Sequence, residues 1–284
     1  MRRDSFCLVL IFLALTIIGT AQTRPQTTKK NSASARATAA ENAPPALEPK
    51  AIEILKGASD KLSGAHTLSF TAIDLFESLS RQAVPLGYTT KYVVTLERPD
   101  KFRVVIPGDG PASDFYCDGK TVTAYAPAEN LAATEAAAPT IEATLEKAYK
   151  SAAIYFPFTD LIVGNPYGDM AVGLRHAYYI GQSKIVGGTT TDMVAFAGDG
   201  IFAQIWVGAD DRLPRMLRAV YVNDPDLLRH ELVFSDWKLD DSVPADTFTP
   251  PPAVADAKKM PFAHPNPETA ATKPTKTKPV AKSQ

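Results

Sequence analysis

The sequence predicts an α+β fold in which a strongly curved antiparallel sheet, a half-barrel of about 10–11 strands, has helices over its concave side. A helical segment comes first, four or five alternating segments follow, and about six more strand-like segments come after a helical insertion. Most links between these segments are of hairpin length, which excludes parallel crossovers. So many antiparallel strands cannot stay a flat open sheet, so they are expected to curl strongly or close.

Two segments show helical periodicity. The first, residues 49–64, has Pro49 in its first turn and Gly64 at its C-terminal cap. The second, TIEATLEKAYK, begins at Thr140, which suits an N-terminal cap. An amphipathic helix must lay its apolar stripe on another surface. In the first helix that stripe consists of Ala51, Leu55, Ala58 and Leu62.

The first group of strands precedes the insertion. TLSFTAIDLFE is rich in strand-forming residues, but its alternation slips near Ala72, which indicates a bulge or burial on both faces. GYTTKYVVTL alternates cleanly, and KFRVVI forms the next strand before Pro107. Asp118-Gly119 lies between two alternating runs, so it predicts a two-residue hairpin turn.

The second group of strands follows a change of pattern. Residues 128–138 are rich in alanine and ambiguous, and IYFPFTDLIVG is an apolar patch broken by Pro157. Strand-like segments then resume, separated by Gly, Pro, Asn or Asp: AYYIG, KIVGG, TTTDMVAFAG, IFAQIWVG, RMLRAVYV and LLRHELVFSDWKL. The glycines of KIVGG and AGDGIF lack the helix that a phosphate site needs, so they are interpreted as turns or bulges.

Residues 1–21 have the layout of a secretory signal peptide. Two arginines precede an apolar run of thirteen residues that begins at Cys7, and small residues lead up to Ala21. A membrane anchor is the alternative, but a spanning helix needs about 20 apolar residues. Cleavage near Ala21 is therefore expected, with no transmembrane span in the mature chain. No cysteine follows the run, so a lipoprotein anchor is not supported.

Cysteine content and charge narrow the class of protein further. Once residues 1–21 are removed, Cys117 is the one remaining cysteine, so the core rather than a disulfide must hold the fold. These features fit the bacterial periplasm. Residues 49–256 carry a net charge of −9, which argues against nucleic acid as a partner.

Both ends of the chain are expected to be disordered around one folded domain, residues 49–256. Residues 22–48 form a linker and residues 257–284 a tail rich in Pro and Lys, with almost no large apolar side chains to offset ordering entropy. The two segments are basic. They serve either as solvated spacers or as weak electrostatic contacts with an anionic envelope surface.

Candidate catalytic groups are sparse. No histidine has metal-like spacing to another histidine or cysteine. His230 and Glu231 are strand neighbours that point to opposite faces, whereas Leu232 and Phe234 share the face of His230. His230 is therefore interpreted as a core or cavity-wall residue. Cys117 has no base nearby in sequence and is interpreted as a small apolar strand residue. No metal and no cofactor are expected.

The segment FSDWKLDDSVPADTFTPPP, residues 234–252, has two interpretations. Its four aspartates suggest an acidic metal or acid–base site, but a calcium loop needs a glycine at its sharp turn and this segment has none. Asp and Ser also favour turns, and Val243-Pro244 restrains an extended backbone. The favoured interpretation is structural closure, in which Phe248 fills the open end of the barrel.

The closing segments resemble a known family. QIWVGADDRLPRMLRAVYV combines an aromatic strand, a charged turn with Leu213-Pro214, and a second strand, and FSDWKLDDSVPADTFTPPP follows it. Together they are similar to an uncharacterised family of predicted periplasmic proteins related to the outer-membrane lipoprotein carriers of the Lol system. The architecture also occurs in regulators of envelope sigma factors and in mycobacterial lipid carriers. The resemblance covers roughly residues 49–255 and implies an apolar cavity under a helical lid that binds acyl chains or a lipidated partner. It carries over no site motif.

The candidate site therefore rests on strand patterning. Large aromatic side chains that are expected to share the concave face are Phe70, Tyr88, Tyr92, Phe102, Trp206 and Phe234. A mobile apolar flap is expected to contribute Tyr155, Phe156 and Phe158. The alternative is that these residues fill a core, since a cavity differs from a core by missing volume, and a few polar groups in an apolar pocket would mark a binding site.

Three classes of function remain. The favoured one is a monomeric, non-catalytic periplasmic carrier of a hydrophobic ligand, either an acyl lipid or a lipidated protein. The second is an envelope protein-interaction or stress-sensing module on the same fold. An enzyme is the third and least supported, because no catalytic set is apparent.

Overall fold

One sheet of twelve strands organises the protein, as described for residues 46–108 and 111–263 by a computed structural model. The strands of its first half are β1 (Thr67–Leu79), β2 (Pro85–Glu97), β3 (Lys101–Ile106), β4 (Ser113–Asp118), β5 (Thr121–Ala126) and β6 (Leu131–Ala136). Those of its second half are β7 (Leu174–Ser183), β8 (Thr191–Gly198), β9 (Ile201–Gly208), β10 (Pro214–Tyr221), β11 (Arg229–Leu239) and β12 (Lys258–Met260).

Four α-helices accompany the sheet within residues 46–108 and 111–263. They are α1 (Pro49–Ser63), α2 (Ile141–Ala152), α3 (Thr159–Ile162) and α4 (Pro166–Ala171). Pro49 opens α1 and the side chain of Thr140 caps α2, accepting a hydrogen bond from the amide of Ala143 at 3.2 Å. Both helices form as the sequence predicts, because their capping residues and apolar stripes agree.

The strand order is β12-β6-β5-β4-β3-β2-β1-β11-β10-β9-β8-β7. Every neighbouring pair except β12 and β6 is antiparallel, and the sheet does not close on itself. The predicted fold class is confirmed: a curved, open, mostly antiparallel sheet with helices against one face. We call the face that contacts the helices the inner face and the other the outer face.

The structure differs from the strand prediction at two places and decides a third that the sequence left open. KIVGG is not a strand: Val186–Gly188 forms a 3-10 turn in which Gly187 and Gly188 have positive φ angles of 69° and 65°. The ambiguous residues 128–138 contain β6, whose pairing with β5 decides their conformation. The predicted disordered tail begins at residue 257, but Lys258–Met260 forms β12, which pairs in parallel with β6.

The predicted bulge belongs to β11 rather than to β1. Between the pairs Ser69–Lys238 and Thr71–Ser235, β1 has one residue and β11 has two. Asp236 is the inserted residue and has a φ of 58°. The insertion places Trp237 on the inner face together with Phe234, where both rings contact Phe70, at centroid distances of 4.6 and 6.0 Å.

The predicted hairpin forms, but its two loop residues are Gly119 and Lys120 rather than Asp118 and Gly119, because Asp118 is the last residue of β4. Gly119 has a φ of 87°, and the Asp118 carboxylate accepts hydrogen bonds from the amides of Lys120 and Thr121 at 2.9 and 2.8 Å. A Cβ at Gly119 would lie 2.6 Å from the carboxylate of Asp100. The glycine is therefore required both by its backbone conformation and by the close approach.

The acidic closing segment is structural, as its favoured interpretation predicts. Asp240 accepts hydrogen bonds from the amides of His66, at 2.7 Å, and Thr67, so it caps the start of β1. The indole of Trp237 donates to the carbonyl of Pro214 at 2.8 Å. Phe248 is buried. The segment is thus joined to the start of β1 through Asp240 and to β10 through Trp237.

Two apolar clusters lie on the inner face. The larger joins β1–β5, β11 and α2 around Phe70, Phe102 and Phe234. The smaller lies between α1 and strands β7–β9, around Ile54, Leu55 and Ile205. Residues 1–45 and 264–284 lie outside the described residues, as do the predicted signal peptide, the linker up to that point and most of the basic tail.

Candidate ligand-binding cavity

A cavity of about 410 Å³ lies between the inner face of β8–β11 and residues 155–172. This volume is within the range of small-molecule sites, roughly 300–1,000 Å³. Its walls are predominantly apolar, with aliphatic and aromatic side chains from both the sheet and the segment above it. These are Tyr155, Pro157, Leu161, Met170, Val172, Phe196, Ile201, Ala203, Ile205, Leu217, Ala219, Tyr221 and Leu232.

The floor of the cavity consists of cross-strand rows, and small side chains create its depth. One row runs from Phe196 on β8 through Ala203 and Ala219 to His230 on β11. The two alanines leave the space between the flanking rings unfilled. The residues two positions along each strand form a second row, which includes Leu217 and Leu232.

The roof is the segment from Tyr155 to α4. Its side chains alternate: Tyr155 and Pro157 line the cavity, whereas Phe156 and Phe158 are buried in the larger core cluster. Phe158 packs edge-on against Phe70, with ring centroids 5.4 Å apart. Two of the three predicted flap residues therefore anchor the segment to the core, and Tyr155 is the one that faces the cavity.

α4 forms the far end of the roof, and its local sequence explains its position. Pro166 starts the helix, and the side chain of Asn165 caps it by accepting a hydrogen bond from the amide of Gly168 at 2.9 Å. The amide of Tyr167 donates to the hydroxyl of Ser59 on α1 at 3.0 Å, which ties the roof to the first helix. Met170 then lines the cavity.

The polar groups of the cavity wall are mainly acidic. Asp160, Asp169, Asp199 and His230 lie among its lining residues, and no lysine or arginine of the described chain does. The three aspartates are exposed to solvent, so water partly screens their charges. The electrostatic character of the wall is nonetheless negative.

Asp74 lies at the end of the second row, opposite Leu232 and beside His230. It is 4% exposed, and its Oδ1 atom is buried without a hydrogen-bond partner. His230 Nδ1 is 3.9 Å from that oxygen, too far for a hydrogen bond. Burial raises the pKa of Asp74, and the charge of His230 opposes that shift. Burial and the nearby charge of Asp74 also raise the pKa of Tyr92 to about 12.

An aromatic row continues from the cavity toward β2. The ring of Phe76 stacks on His230 at a centroid distance of 6.0 Å and on Tyr88 at 5.7 Å. Tyr88 is 49% exposed. Tyr88 is one of the six aromatic residues predicted to lie on the concave face. It lies in the same cross-strand row as His230, two strands away from β11.

Four other members of that set are packed in the core. Phe70, Tyr92, Phe102 and Phe234 belong to the larger apolar cluster and are all buried. The structure brings them together on the inner face, as expected, but at a place where side chains fill the space. None of the four lines the cavity. A role for them in ligand binding stays a prediction.

Trp206 was assigned to the wrong face. On β9, Ala203 and Ile205 point into the cavity and the smaller core, so alternation directs Trp206 to the outer face. There it lies between Met193 on β8 and Met216 on β10. The assignment followed side-chain size rather than parity along the strand.

The residues that sequence reasoning missed are the small and the polar ones. Ala203 and Ala219 shape the cavity, and their signal is an alanine at an inward position of an otherwise bulky strand. The inward positions of β1 are apolar except at Asp74. This exception is the sequence signal by which Asp74 could have been identified. His230 was placed correctly as a cavity-wall residue.

Cys117 has the environment of a structural residue. It is fully buried, and its Sγ donates to the carbonyl of Asp100 at 3.2 Å. Burial raises the pKa of its thiol, so the reactive thiolate is disfavoured.

Within residues 46–108 and 111–263, no group of three or more His, Cys, Asp or Glu side chains is arranged to hold a metal ion. No helix in that part of the chain is long and apolar enough to cross a membrane.

An open, curved antiparallel sheet with helices and a cavity on its inner face defines a half-barrel protein. Residues 51–263 match the model of the family described as predicted periplasmic protein (DUF2092). Because the match spans more than half of the chain, the protein belongs to this family, and the family predicted from the closing segments is confirmed. No curated protein matches the chain significantly.

Solved structures with a similar fold include an uncharacterised conserved protein from Thermus thermophilus, at 13% identity and a TM-score of 0.43, covering 75% of this chain and 99% of that one. A putative outer membrane lipoprotein-sorting protein domain from Vibrio parahaemolyticus has 12% identity, a TM-score of 0.35 and coverages of 70% and 96%. The MucA/MucB complex of Pseudomonas aeruginosa has 15% identity, a TM-score of 0.40 and coverages of 72% and 62%. Such likenesses indicate no ligand and no partner for this chain.

Proposed function

We propose that this protein is a periplasmic carrier that binds a hydrophobic ligand in the cavity between β8–β11 and residues 155–172, without chemistry of its own. The observation that carries the proposal is the cavity of about 410 Å³ with predominantly apolar walls. An apolar space of this size loses dispersion contacts when empty, so an apolar occupant stabilises it. The family description, predicted periplasmic protein, supports the location.

The ligand is expected to be an acyl lipid or the acyl chain of a lipidated protein. Apolar side chains cover both the floor and the roof, as a hydrocarbon chain requires. The aromatic row through Phe76 and Tyr88 extends the same surface beyond the cavity. Ligand that exceeds the cavity in length can lie along this row.

The experiment is ligand analysis on two variants of neighbouring residues. Ala219→Trp fills the cavity, and Val220→Trp adds the same ring on the outer face of the same strand. Protein is purified from periplasm without denaturant, bound lipid is identified by native mass spectrometry, and binding of the apolar probe N-phenyl-1-naphthylamine is titrated. The wild type and Val220→Trp are expected to bind, and Ala219→Trp to lose binding. Equal binding by a folded Ala219→Trp protein contradicts the proposal.

A second candidate, an envelope protein-interaction module, is supported by the outer face. Ile73, Val233, Met216, Trp206 and Met193 form one cross-strand row there, with Val233 42% exposed and Ile73 38% exposed. Contiguous exposed apolar side chains are typical of contact surfaces. A photo-crosslinking amino acid at position 233 is expected to capture one defined envelope protein if this function holds. An empty cavity with such a crosslink would favour it over the carrier.

Contact of the basic tails with the envelope stays a prediction. Most of the tail, residues 264–284, lies outside the described residues, and its lysines are the expected contacts. Sedimentation with anionic and neutral vesicles, with and without residues 264–284, measures it. A monomer is likewise a prediction, which light scattering checks.

A further inference from the structure

We propose that the cavity selects a ligand with a cationic polar end, a hydrophobic amine, whose ammonium group is received by Asp74 beside His230. This inference rests on the proposed function, because it assigns the polar end of the same ligand. Three independent features of the inner face carry it: the charge of the wall, the unsatisfied carboxylate, and the direction of the apolar rows.

The charge of the wall opposes anions. Asp160, Asp169 and Asp199 line the cavity, and no lysine or arginine of the described residues joins them. A carboxylate or phosphate head group would enter this space with like charges around it and no fixed cation to pair with. An ammonium group would enter with attractive charges around it; the three aspartates are exposed to solvent, so they act mainly on the approach of the ligand.

Asp74 lacks the donor that a buried carboxylate needs. Its side chain is 5% exposed and its Oδ1 has no hydrogen-bond partner. Its cross-strand neighbours on the inner face are Leu232 and Thr90, and His230 Nδ1 stays 3.9 Å away. Buried polar atoms in folded proteins are nearly always paired, so this oxygen has the capacity to accept a hydrogen bond from a ligand. A ligand N–H group would supply it.

The apolar rows lead to this carboxylate. Ile205, Leu217 and Leu232 lie side by side across the cavity floor, and the next residue in that row is Asp74. A hydrocarbon chain on these side chains therefore brings its polar end to Asp74. His230 lines the cavity beside it and its side chain is 40% exposed, so the imidazole has room to turn away and admit the head group.

The experiment separates this inference from the proposed function. Displacement of N-phenyl-1-naphthylamine at pH 7 is measured with dodecylamine, dodecanol and dodecanoate below their micelle concentrations. In the wild type, the amine is expected to bind about tenfold or more tightly than dodecanoate, as a charge-assisted hydrogen bond gives. Asp74→Asn is expected to reduce that preference to about twofold or less, while binding of the neutral alcohol stays unchanged.

Asp241→Asn is the matched control, because it makes the same change of charge at an exposed position outside the cavity. It is expected to keep the full preference for the amine. Loss of preference in both variants, or tighter binding of dodecanoate than of dodecylamine by the wild type, overturns the inference and leaves the hydrophobic carrier standing. Failure of the wild type to bind the probe at all overturns both. Thermal melting verifies that each variant is folded.

Discussion

Trp237 stacks on Phe70 with ring centroids 4.6 Å apart, although strand alternation from Phe234 would place Trp237 on the outer face. The bulge at Asp236 reverses the alternation, so that Phe234 and Trp237 both contact Phe70 from β11. One inserted residue thereby gives the inner core two large rings from a single strand.

The conformation of Asp236 yields the first prediction. Because its φ is 58°, Asp236→Ile is expected to lower the free energy of unfolding by about 1–2 kcal/mol, since β-branched residues are strained in this region. Asp236→Asn is expected to be close to neutral, because asparagine tolerates this conformation. Urea unfolding followed by tryptophan fluorescence measures both. An isoleucine variant as stable as the asparagine variant would show that the bulge relaxes at no cost.

Asp74 gives a pH-dependent prediction. Burial raises its pKa above the usual 3.8, so its ionised form destabilises the folded protein, and this cost appears as pH rises from 3.8 through the raised pKa. Asp74→Asn is therefore expected to unfold at higher urea concentration than the wild type at pH 7. At pH below 3.8 the advantage is expected to vanish. Each pH unit by which the pKa is raised corresponds to about 1.4 kcal/mol at pH 7.

Urea titrations of both proteins at pH 3.5, 5 and 7 check the sign. A wild type that is more stable than Asp74→Asn at pH 7 would mean that the carboxylate is satisfied in solution.

The roof segment yields a paired prediction. Phe158 is fully buried and contacts Phe70 and Tyr92, so Phe158→Ala is expected to cost about 3–5 kcal/mol of unfolding free energy. Tyr155 is 56% exposed and lines the cavity, so Tyr155→Ala is expected to change stability by less than about 1 kcal/mol. The same Tyr155→Ala change is expected to weaken probe binding. Urea denaturation and probe titration on both variants test whether Phe158 anchors the segment and Tyr155 contacts the ligand. Unchanged probe affinity in Tyr155→Ala would show that Tyr155 is not part of the binding site.

Two glycines in the loops on either side of β4 give a matched comparison. Gly119 has a φ of 87° and a carboxylate 2.6 Å from where its Cβ would stand, so Gly119→Ala is expected to cost about 2 kcal/mol or more. Gly108 has open space around the corresponding position, so Gly108→Ala is expected to be nearly neutral. The difference in urea midpoint between the two variants measures how strongly the turn requires glycine at position 119. Equal midpoints would contradict this requirement.

The sequence predicted a helix or turn well where the residues that determine it lie within a few positions of one another. The caps and stripe of α1, the cap of α2 and the β4–β5 hairpin depend on residues a few positions apart, and all three are confirmed. The closing segment was interpreted correctly for the same reason. β6 and β12 were missed because their pairing with each other and with β5, rather than their composition, makes them strands.

The candidate site was predicted less well, since a cavity is an absence of atoms. Aromatic side chains were assigned to it by size, and the structure uses Phe70, Phe102 and Phe234 to fill the core. The space opens instead where Ala203 and Ala219 come side by side on adjacent strands. No pattern within one strand reveals that two small residues on separate strands face each other.

The sequence by itself determined the two longer helices, most of the strands, the antiparallel character of most of the sheet, and the structural role of its acidic closing segment. These follow from local backbone preferences and from hydrophobic periodicity, which act over a few residues, whereas the family follows from the resemblance of the closing segments. The tertiary structure alone decided where the cavity lies, which face receives Trp206, and that Asp74 lies beside His230, which lines the cavity. Those outcomes depend on register between strands distant in sequence, where a shift of one residue reverses every side chain.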